Sequence, residues 1–177
     1  MLRAAAELRV QGLDVSVVIA GEGEEATALQ ALAVELGIGD RVHLPGYCSD
    51  PRGVFEAMDI FALSSHREGL PNVLLEAAAM EVPIVATRIA GVPRFVVEEE
   101  TGLLVEPGSG PSLAAGLTRL LRDETLRQRL AGAGRLRVAT HYSFAKRIQK
   151  IASIYDELLT QNGATRHLPA GRLAHAI

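Results

Sequence analysis

Two glutamates, Glu68 and Glu76, have the side-chain type and the spacing that ligand chemistry could use. They stand at the two ends of the run EGLPNVLLE. The apolar run DIFAL at residues 59–63 comes before them and predicts a buried strand. Pro71 suits the first turn of a helix, and it disfavours helical angles at Leu70. We therefore expect Glu68 on the loop after the strand and Glu76 inside the helix that follows.

The start of that helix lies between the two acids. Near Asn72 and Val73 the first backbone N–H groups have no partner in the helix, and the helix dipole is positive there, which favours a phosphate. An acid, an anion site and a second acid suit a ligand with hydroxyls at both ends and phosphates between, as in a sugar nucleotide. The alternative is that the dipole alone favours two acids near a helix start, with no ligand involved.

Two other chemistries fit this pattern less well. The two carboxyl groups of a glycoside hydrolase lie about 5–9.5 Å apart, whereas eight positions at a rise of about 1.5 Å span about 12 Å. A dinucleotide reductase is disfavoured because the loop GEGEE at residues 21–25 lacks the third glycine and places three acids where pyrophosphate would lie.

Composition excludes several classes of function. The chain has 177 residues, of which 48% are hydrophobic, and its net charge of −3 argues against a nucleic-acid partner. Cys48 is the single cysteine, so an internal disulfide is excluded and a reducing, cytoplasmic location is expected. No apolar stretch approaches the ~20 residues that span a bilayer. Aromatic residues make up 4%, which argues against an aromatic platform for sugars.

Helical and strand patterns alternate along the sequence. Besides the helix after Pro71, helices are predicted at residues 2–10, 24–36, 51–58, 112–121, 124–131 and 144–159, and strands at 15–19, 41–44, 60–63, 83–87 and 102–105. This pattern predicts an α/β fold, a Rossmann-like parallel sheet of about five strands with helices on both faces. Ligands bind such sheets at the carboxyl ends of the strands, where loops 21–23, 46–49 and 64–71 fall. We expect one domain over residues 1–160 and a disordered tail over 161–177.

Six blocks of this sequence resemble the C-terminal, donor-binding half of retaining glycosyltransferases with the GT-B fold, the group 1 or glycogen-synthase-like family. The blocks are VIAGEG (18–23), RVHLPGY (41–47), SSHREGLPNVLLEA (64–77), PIVAT (83–87), AGVP (90–93) and ETGLLVEPG (100–108). The resemblance implies a nucleotide-sugar substrate in polysaccharide or glycoconjugate biosynthesis of a bacterial type. It also implies that neither a metal nor another cofactor is needed.

The resemblance also implies roles for individual residues. Glu68, the catalytic candidate, would contact hydroxyls of the transferred sugar, and Glu76 would hold the ribose hydroxyls. The other donor-binding candidates are Gly69, Leu70, Pro71, Asn72, Val73, Gly21, Gly46 and Tyr47, the last two near the base. Further candidates are His66, for phosphate, and Arg94, as a source of positive charge, each weighed against an idle surface side chain.

The sequence departs from that family in three ways. The strand and basic loop that open the family's domain, and its acceptor-binding N-terminal half, are not matched, so we expect a fragment or a shortened product. Glu81 follows the motif helix where glycine is usual, and a left-handed backbone there would cost about 1 kcal/mol. Arg94 stands where an acid usually follows the turn AGVP.

Three functions remain open: glycosyl transfer with retention, sugar-nucleotide binding without transfer, and sugar-nucleotide epimerisation on the same fold. We expect the full-length protein to associate peripherally with a membrane and the isolated chain to be inactive in transfer. The family's first strand is central in the sheet. Without it, strands 15–19 and 60–63 should pair directly or leave a gap.

Overall fold

The computed structural model describes residues 1–161, in which helices and strands alternate. The strands are β1 (Val17–Ala20), β2 (Val42–Gly46), β3 (Phe61–Leu63), β4 (Ile84–Thr87) and β5 (Leu103–Val105). The helices are α1 (Leu2–Val10), α2 (Ala26–Glu35), α3 (Pro51–Glu56), α4 (Asn72–Ala79), α5 (Gly110–Arg122), α6 (Glu124–Arg137) and α7 (Phe144–Gln161). The pairs that these strands form are parallel, which confirms the predicted α/β class.

The strands form two sheets instead of one. β1 pairs with β2, with Val17 opposite Val42, and β3, β4 and β5 pair in that order. Within residues 1–161 no ladder joins β1 to β3. The doubly wound order 3-2-1-4-5-6 leaves the same two groups when its first strand is taken away. The predicted break between these two strands is therefore confirmed, as a gap and not as direct pairing.

Burial of the strands follows from this division. All four residues of β4 are buried, because β4 has a strand on each side. The three residues of β3 are only partly buried, and β1 alternates between partly buried and exposed residues. Val18 of β1 keeps 43% of its surface exposed. Strands at a sheet edge lose the cover that a second neighbour provides.

Helix α1 packs against both groups of strands. Ala4 and Leu8 lie in a core with residues of β4, β5 and α5. Leu2 and Ala5 lie in a second core with residues of α2 and β2. The four side chains are at most 4% exposed, so this helix is shared by both cores.

Several helix ends differ from the sequence expectations. Asp50 caps α3, and its carboxylate accepts a hydrogen bond from the Arg52 N–H at 3.0 Å. Pro71 was expected in the first turn of α4 but is the residue before it, with extended angles of φ −68° and ψ 126°. Helix α6 runs to Arg137, beyond the predicted end at residue 131, because the buried Gly134 packs against Ala78 of α4.

Glu81 has a left-handed backbone, with φ 56°, at the position where the resembling family usually has glycine. It follows the C-terminal end of α4, where this conformation ends a helix and normally favours glycine. Its side chain lies 3.2 Å from Arg135 in an exposed ion pair, which contributes little stability. The local strain at Glu81 is therefore not offset by that ion pair.

Residues 1–139 group into one compact unit, and residues 140–161 belong to a second. The second unit contains α7, whose large apolar side chains recur at helical spacing and are exposed: Phe144, Ile148, Ile151, Ile154, Tyr155, Leu158 and Leu159. Gln161, which was assigned to the tail, is the last residue of α7, and the rest of that tail lies outside the described residues. None of the helices in residues 1–161 combines the length and apolar character that crossing a membrane requires.

Candidate functional site

The loop between β3 and α4 carries Glu68 and is held by a chain of hydrogen bonds. Thr87, the last residue of β4, donates from its hydroxyl to the Ser65 carbonyl at 2.7 Å. The Ser65 hydroxyl in turn donates to Oε1 of Glu68 at 3.1 Å. Thr87 is buried, while Ser65 and Glu68 are half-buried. The Glu68 carboxylate is thus tied through Ser65 to a central, buried strand.

The loop that follows β4 packs against the same segment. A Cβ added at Gly91 would lie 1.6 Å from the Gly69 carbonyl oxygen and 2.4 Å from its carbonyl carbon. Gly91 has φ −83°, an angle that any residue adopts, so glycine is required here by the close approach and not by the backbone conformation. The loop after β4 therefore fixes the backbone next to Glu68.

A third loop, after β5, approaches the same segment. A Cβ added at Gly108 would lie 3.3 Å from Cε1 of His66. His66 itself is exposed. The loops after β3, β4 and β5 thus meet at the carboxyl ends of these strands, where parallel sheets bind their ligands.

The N-terminus of α4 opens beside this loop cluster. Leu74 already donates its N–H to the Pro71 carbonyl at 3.1 Å, and no side chain caps the helix in the described part of the chain. Asn72 and Val73 are exposed at the first two helical positions. Because the first N–H groups of a helix lack intrahelical acceptors, these two can bind an anion.

Glu76 lies further along α4, on the side away from the core. Leu74, Ala77 and Ala78 are buried and define the core face of the helix, whereas Glu76 is exposed. The structure therefore places Glu68, Gly69 and Leu70 on the loop and Asn72, Val73 and Glu76 on the helix, as predicted, whereas Pro71 lies on the loop and not in the first turn. Both carboxylates are open to a ligand.

Two other predicted residues meet across β1 and β2. Gly21 donates its N–H to the Gly46 carbonyl at 2.8 Å, and their φ values are 135° and 76°. Both angles are in the region that L side chains rarely adopt. Tyr47 follows and is 72% exposed. These residues form a second group, at the carboxyl ends of β1 and β2.

The sequence pattern described as "Glycosyl transferases group 1" matches residues 1–137. The chain belongs to the glycosyl transferase group 1 family. One relative, the lipopolysaccharide core biosynthesis glycosyltransferase LpsE of Rhizobium meliloti (strain 1021), is 40% identical over 114 residues, which are 64% of this chain and 34% of LpsE. The chain spans well under half the length of the curated relatives it matches.

Solved structures agree with this assignment. The C-terminal domain of LpcC, a group 1 glycosyl transferase family protein from Francisella tularensis, has a TM-score of 0.71 and 28% identity, covering 81% of this chain and 77% of that structure. HepE from Anabaena in complex with UDP has a TM-score of 0.82 and 23% identity, covering 88% of this chain and 44% of HepE. This group 1 chain therefore has the fold of the C-terminal half of the GT-B architecture.

Arg94 is a further predicted residue of this group 1 domain. It is exposed at the end of a short 3₁₀ turn (Val92–Arg94), three positions after Gly91. Its backbone carbonyl accepts a hydrogen bond from Arg137 at 3.0 Å. This hydrogen bond links Arg94 to α6, and the predicted role of Arg94 toward phosphate stays a prediction.

Sequence reasoning missed Ser65, Thr87 and Gly108 as parts of the group 1 site. Ser65 stands only three positions before Glu68, so the local sequence already brought this donor close to the acid. Thr87 and Gly108 carry no such local signal, since the residues they contact lie 22 and 42 positions away in the chain.

Proposed function

We propose that this chain is the donor-binding domain of a retaining GT-B glycosyltransferase and binds a nucleotide-diphosphate sugar at the β3–α4 loop. One observation carries the proposal: Glu68 is held on the loop four residues before the uncapped N-terminus of α4, and the exposed Glu76 lies on that helix. Glu68 accepts hydrogen bonds from the sugar hydroxyls, the N–H groups of Asn72 and Val73 face the diphosphate, and Glu76 accepts from the ribose hydroxyls.

The charges favour this orientation of the ligand. Transfer breaks the bond between the sugar and the diphosphate, so negative charge develops on the leaving phosphate. Fixed dipoles aimed at such a charge stabilise the transition state without reorganising. The N-terminus of α4 supplies such a dipole, which is why the proposal involves no metal ion. Hydrogen bonds from hydroxyls to a carboxylate are charge-assisted and therefore strong.

Two observations on other proteins support a nucleotide-sugar ligand. HepE from Anabaena has been solved with UDP and with UDP-glucose, and its fold matches this chain. LpsE acts in lipopolysaccharide core biosynthesis. The acceptor and the second wall of the cleft belong to the remainder of a full-length enzyme, so we expect the isolated chain to bind the donor without transferring its sugar.

Calorimetry with UDP, GDP and ADP tests the proposal. Glu76→Gln should weaken binding of the preferred diphosphate by about 1.5–3 kcal/mol, the range for hydrogen bonds to a charged group. Glu100→Gln is the matched control, since Glu100 is an exposed glutamate in the turn before β5 and should leave affinity unchanged. Unchanged affinity in Glu76→Gln, with measurable binding by the wild type, rules out the role of Glu76.

Glu68→Ala separates sugar contact from nucleotide contact in the same assay. It should weaken binding of UDP-glucose, or of the corresponding GDP- or ADP-sugar, while leaving the diphosphate unaffected. Equal losses for both ligands would contradict the assignment. Adding a chelator should change neither affinity, since no metal takes part.

A further inference from the structure

We propose that Ser65 is a positioning residue that fixes the Glu68 carboxylate for contact with the donor sugar. This inference rests on the proposed function, because it concerns how Glu68 is presented to that ligand. Ser65 itself is not expected to touch the sugar or the nucleotide.

Thr87 is the buried, rigid end of the hydrogen-bond chain. Thr87 is 3% exposed and closes β4, the strand that has a neighbour on each side. Its hydroxyl donates to the Ser65 carbonyl at 2.7 Å across 22 residues of sequence. The backbone of Ser65 is thereby held to the sheet, although Ser65 lies on a loop.

The Ser65 side chain in turn fixes the orientation of Glu68. Its hydroxyl donates to Oε1 of Glu68 at 3.1 Å, which leaves Oε2 as an acceptor for a ligand hydroxyl. A free glutamate side chain loses rotamer freedom when a ligand fixes it, and this loss weakens binding. A glutamate that is already oriented avoids part of this cost, which is the general advantage of preorganisation.

The contacts of the loop indicate that the Ser65 hydroxyl orients the Glu68 side chain and is not needed to hold the loop backbone. Gly69, next to Glu68, is already fixed by the contact of its carbonyl with Gly91. The loop backbone therefore keeps its place when the Ser65 hydroxyl is removed. Removal should release only the Glu68 side chain.

The test compares UDP and UDP-glucose binding by calorimetry in three variants of the full chain. Ser65→Ala should weaken UDP-glucose binding about tenfold, at the lower end of what a half-exposed bond to a carboxylate contributes. In Ser65→Ala, the dissociation constant for UDP should change less than about twofold. Ser65→Thr, which keeps a hydroxyl, should restore the UDP-glucose affinity. Ser64→Ala, a neighbouring serine outside this hydrogen-bond chain, should match the wild type.

A double-mutant cycle decides whether Ser65 acts through Glu68. In a Glu68→Ala background, Ser65→Ala should cause no further loss of UDP-glucose affinity, because the side chain that it orients is gone. Independent, additive losses from the two substitutions overturn the proposal. So does an equal loss of UDP and UDP-glucose in Ser65→Ala, which would indicate a support of the loop as a whole.

A measurement on the free chain keeps this inference separate from the proposed function. Carbon-13 relaxation of a selectively labelled Glu68 side chain should show greater mobility in Ser65→Ala than in the wild type or Ser64→Ala. If the wild type bound no nucleotide, the proposed function would fail while increased Glu68 mobility would still support positioning by Ser65. Unchanged mobility overturns the positioning role in either case.

Discussion

Replacing Gly91 by alanine tests whether the loop after β4 sets the position of the loop that carries Glu68. The added Cβ would lie 1.6 Å from the Gly69 oxygen, 2.4 Å from its carbonyl carbon and 3.0 Å from the Leu70 nitrogen. All three atoms belong to the backbone, so no side chain can rotate away. An ordinary contact of about 3.4 Å requires the two loops to separate by roughly 1.8 Å.

The size of the effect follows from that displacement. Forcing extra atoms into a packed region costs about 1–3 kcal/mol, and contact with backbone places Gly91→Ala at the upper end. Alanine is compatible with φ −83° at this position, so its restriction of the unfolded chain offsets only about 0.4–1 kcal/mol. We expect a net loss of about 2 kcal/mol in the free energy of unfolding, combining these two estimates.

Urea unfolding and donor binding measure the two consequences. Gly132→Ala is the matched control, because Gly132 is exposed on α6 and a Cβ there would meet nothing within 4 Å. That control should gain about 0.5–1 kcal/mol from the helix preference of alanine. Gly91→Ala should also bind UDP-glucose more weakly, since displacing the loop moves Glu68 away from the position in which Ser65 holds it. Wild-type stability and affinity in Gly91→Ala would refute the reasoning.

Three further expectations concern strain, charge and strand edges. Glu81→Gly should raise the free energy of unfolding by about 0.5–1 kcal/mol by relieving the left-handed backbone, whereas Glu81→Ala should not; equal values for both would contradict this. The hydrogen bond from Arg9, at 2.8 Å, holds the pKa of Asp40 below its ordinary value. The stabilisation from this ion pair is complete above about pH 4 and is lost as the pH falls through the lowered folded-state pKa. Arg9→Gln removes the hydrogen bond and should therefore raise the pKa of Asp40 in an NMR titration. An unchanged pKa would count against this cause. Hydrogen exchange should be faster for half of the amides of β1 and β3 than for those of β4; uniform protection would disprove the edge assignment.

The sequence predicted those features that depend on neighbouring residues. The loop and helix of the site were predicted from local signals, because strands, turns and helices depend on neighbouring residues. These signals are the apolar run at residues 59–63, Pro71 and the acids around it. The left-handed backbone of Glu81 was considered only because the resembling family usually has glycine at this position, and the structure shows it. The end of α6 was wrong, because Gly132 and Gly134 weaken the helical signal while burial of Gly134 against α4 stabilises the helix.

The arrangement of the site depends on contacts that no local pattern encodes. The approach of Gly91 to Gly69 and the bond from Thr87 to Ser65 each join residues 22 positions apart. They exist because β3 and β4 are adjacent in the sheet, in register from Phe61 opposite Ile84. Sheet order brings the loops together, so the role of these residues becomes visible only when the strand pairing is known.

Because the sheet is divided, α1 connects the two groups of strands through side-chain packing. In a continuous parallel sheet, backbone hydrogen bonds join each strand to the next, but no ladder joins β1 to β3 in residues 1–161. Leu2 and Ala5 of α1 pack in the core of β2 and α2, while Ala4 and Leu8 pack in the core of β4 and β5. Packing of one short helix therefore replaces the ladder between the two groups of strands, and the unpaired backbone groups of β1 and β3 must be met by water, since dry ones would cost about 1–3 kcal/mol each.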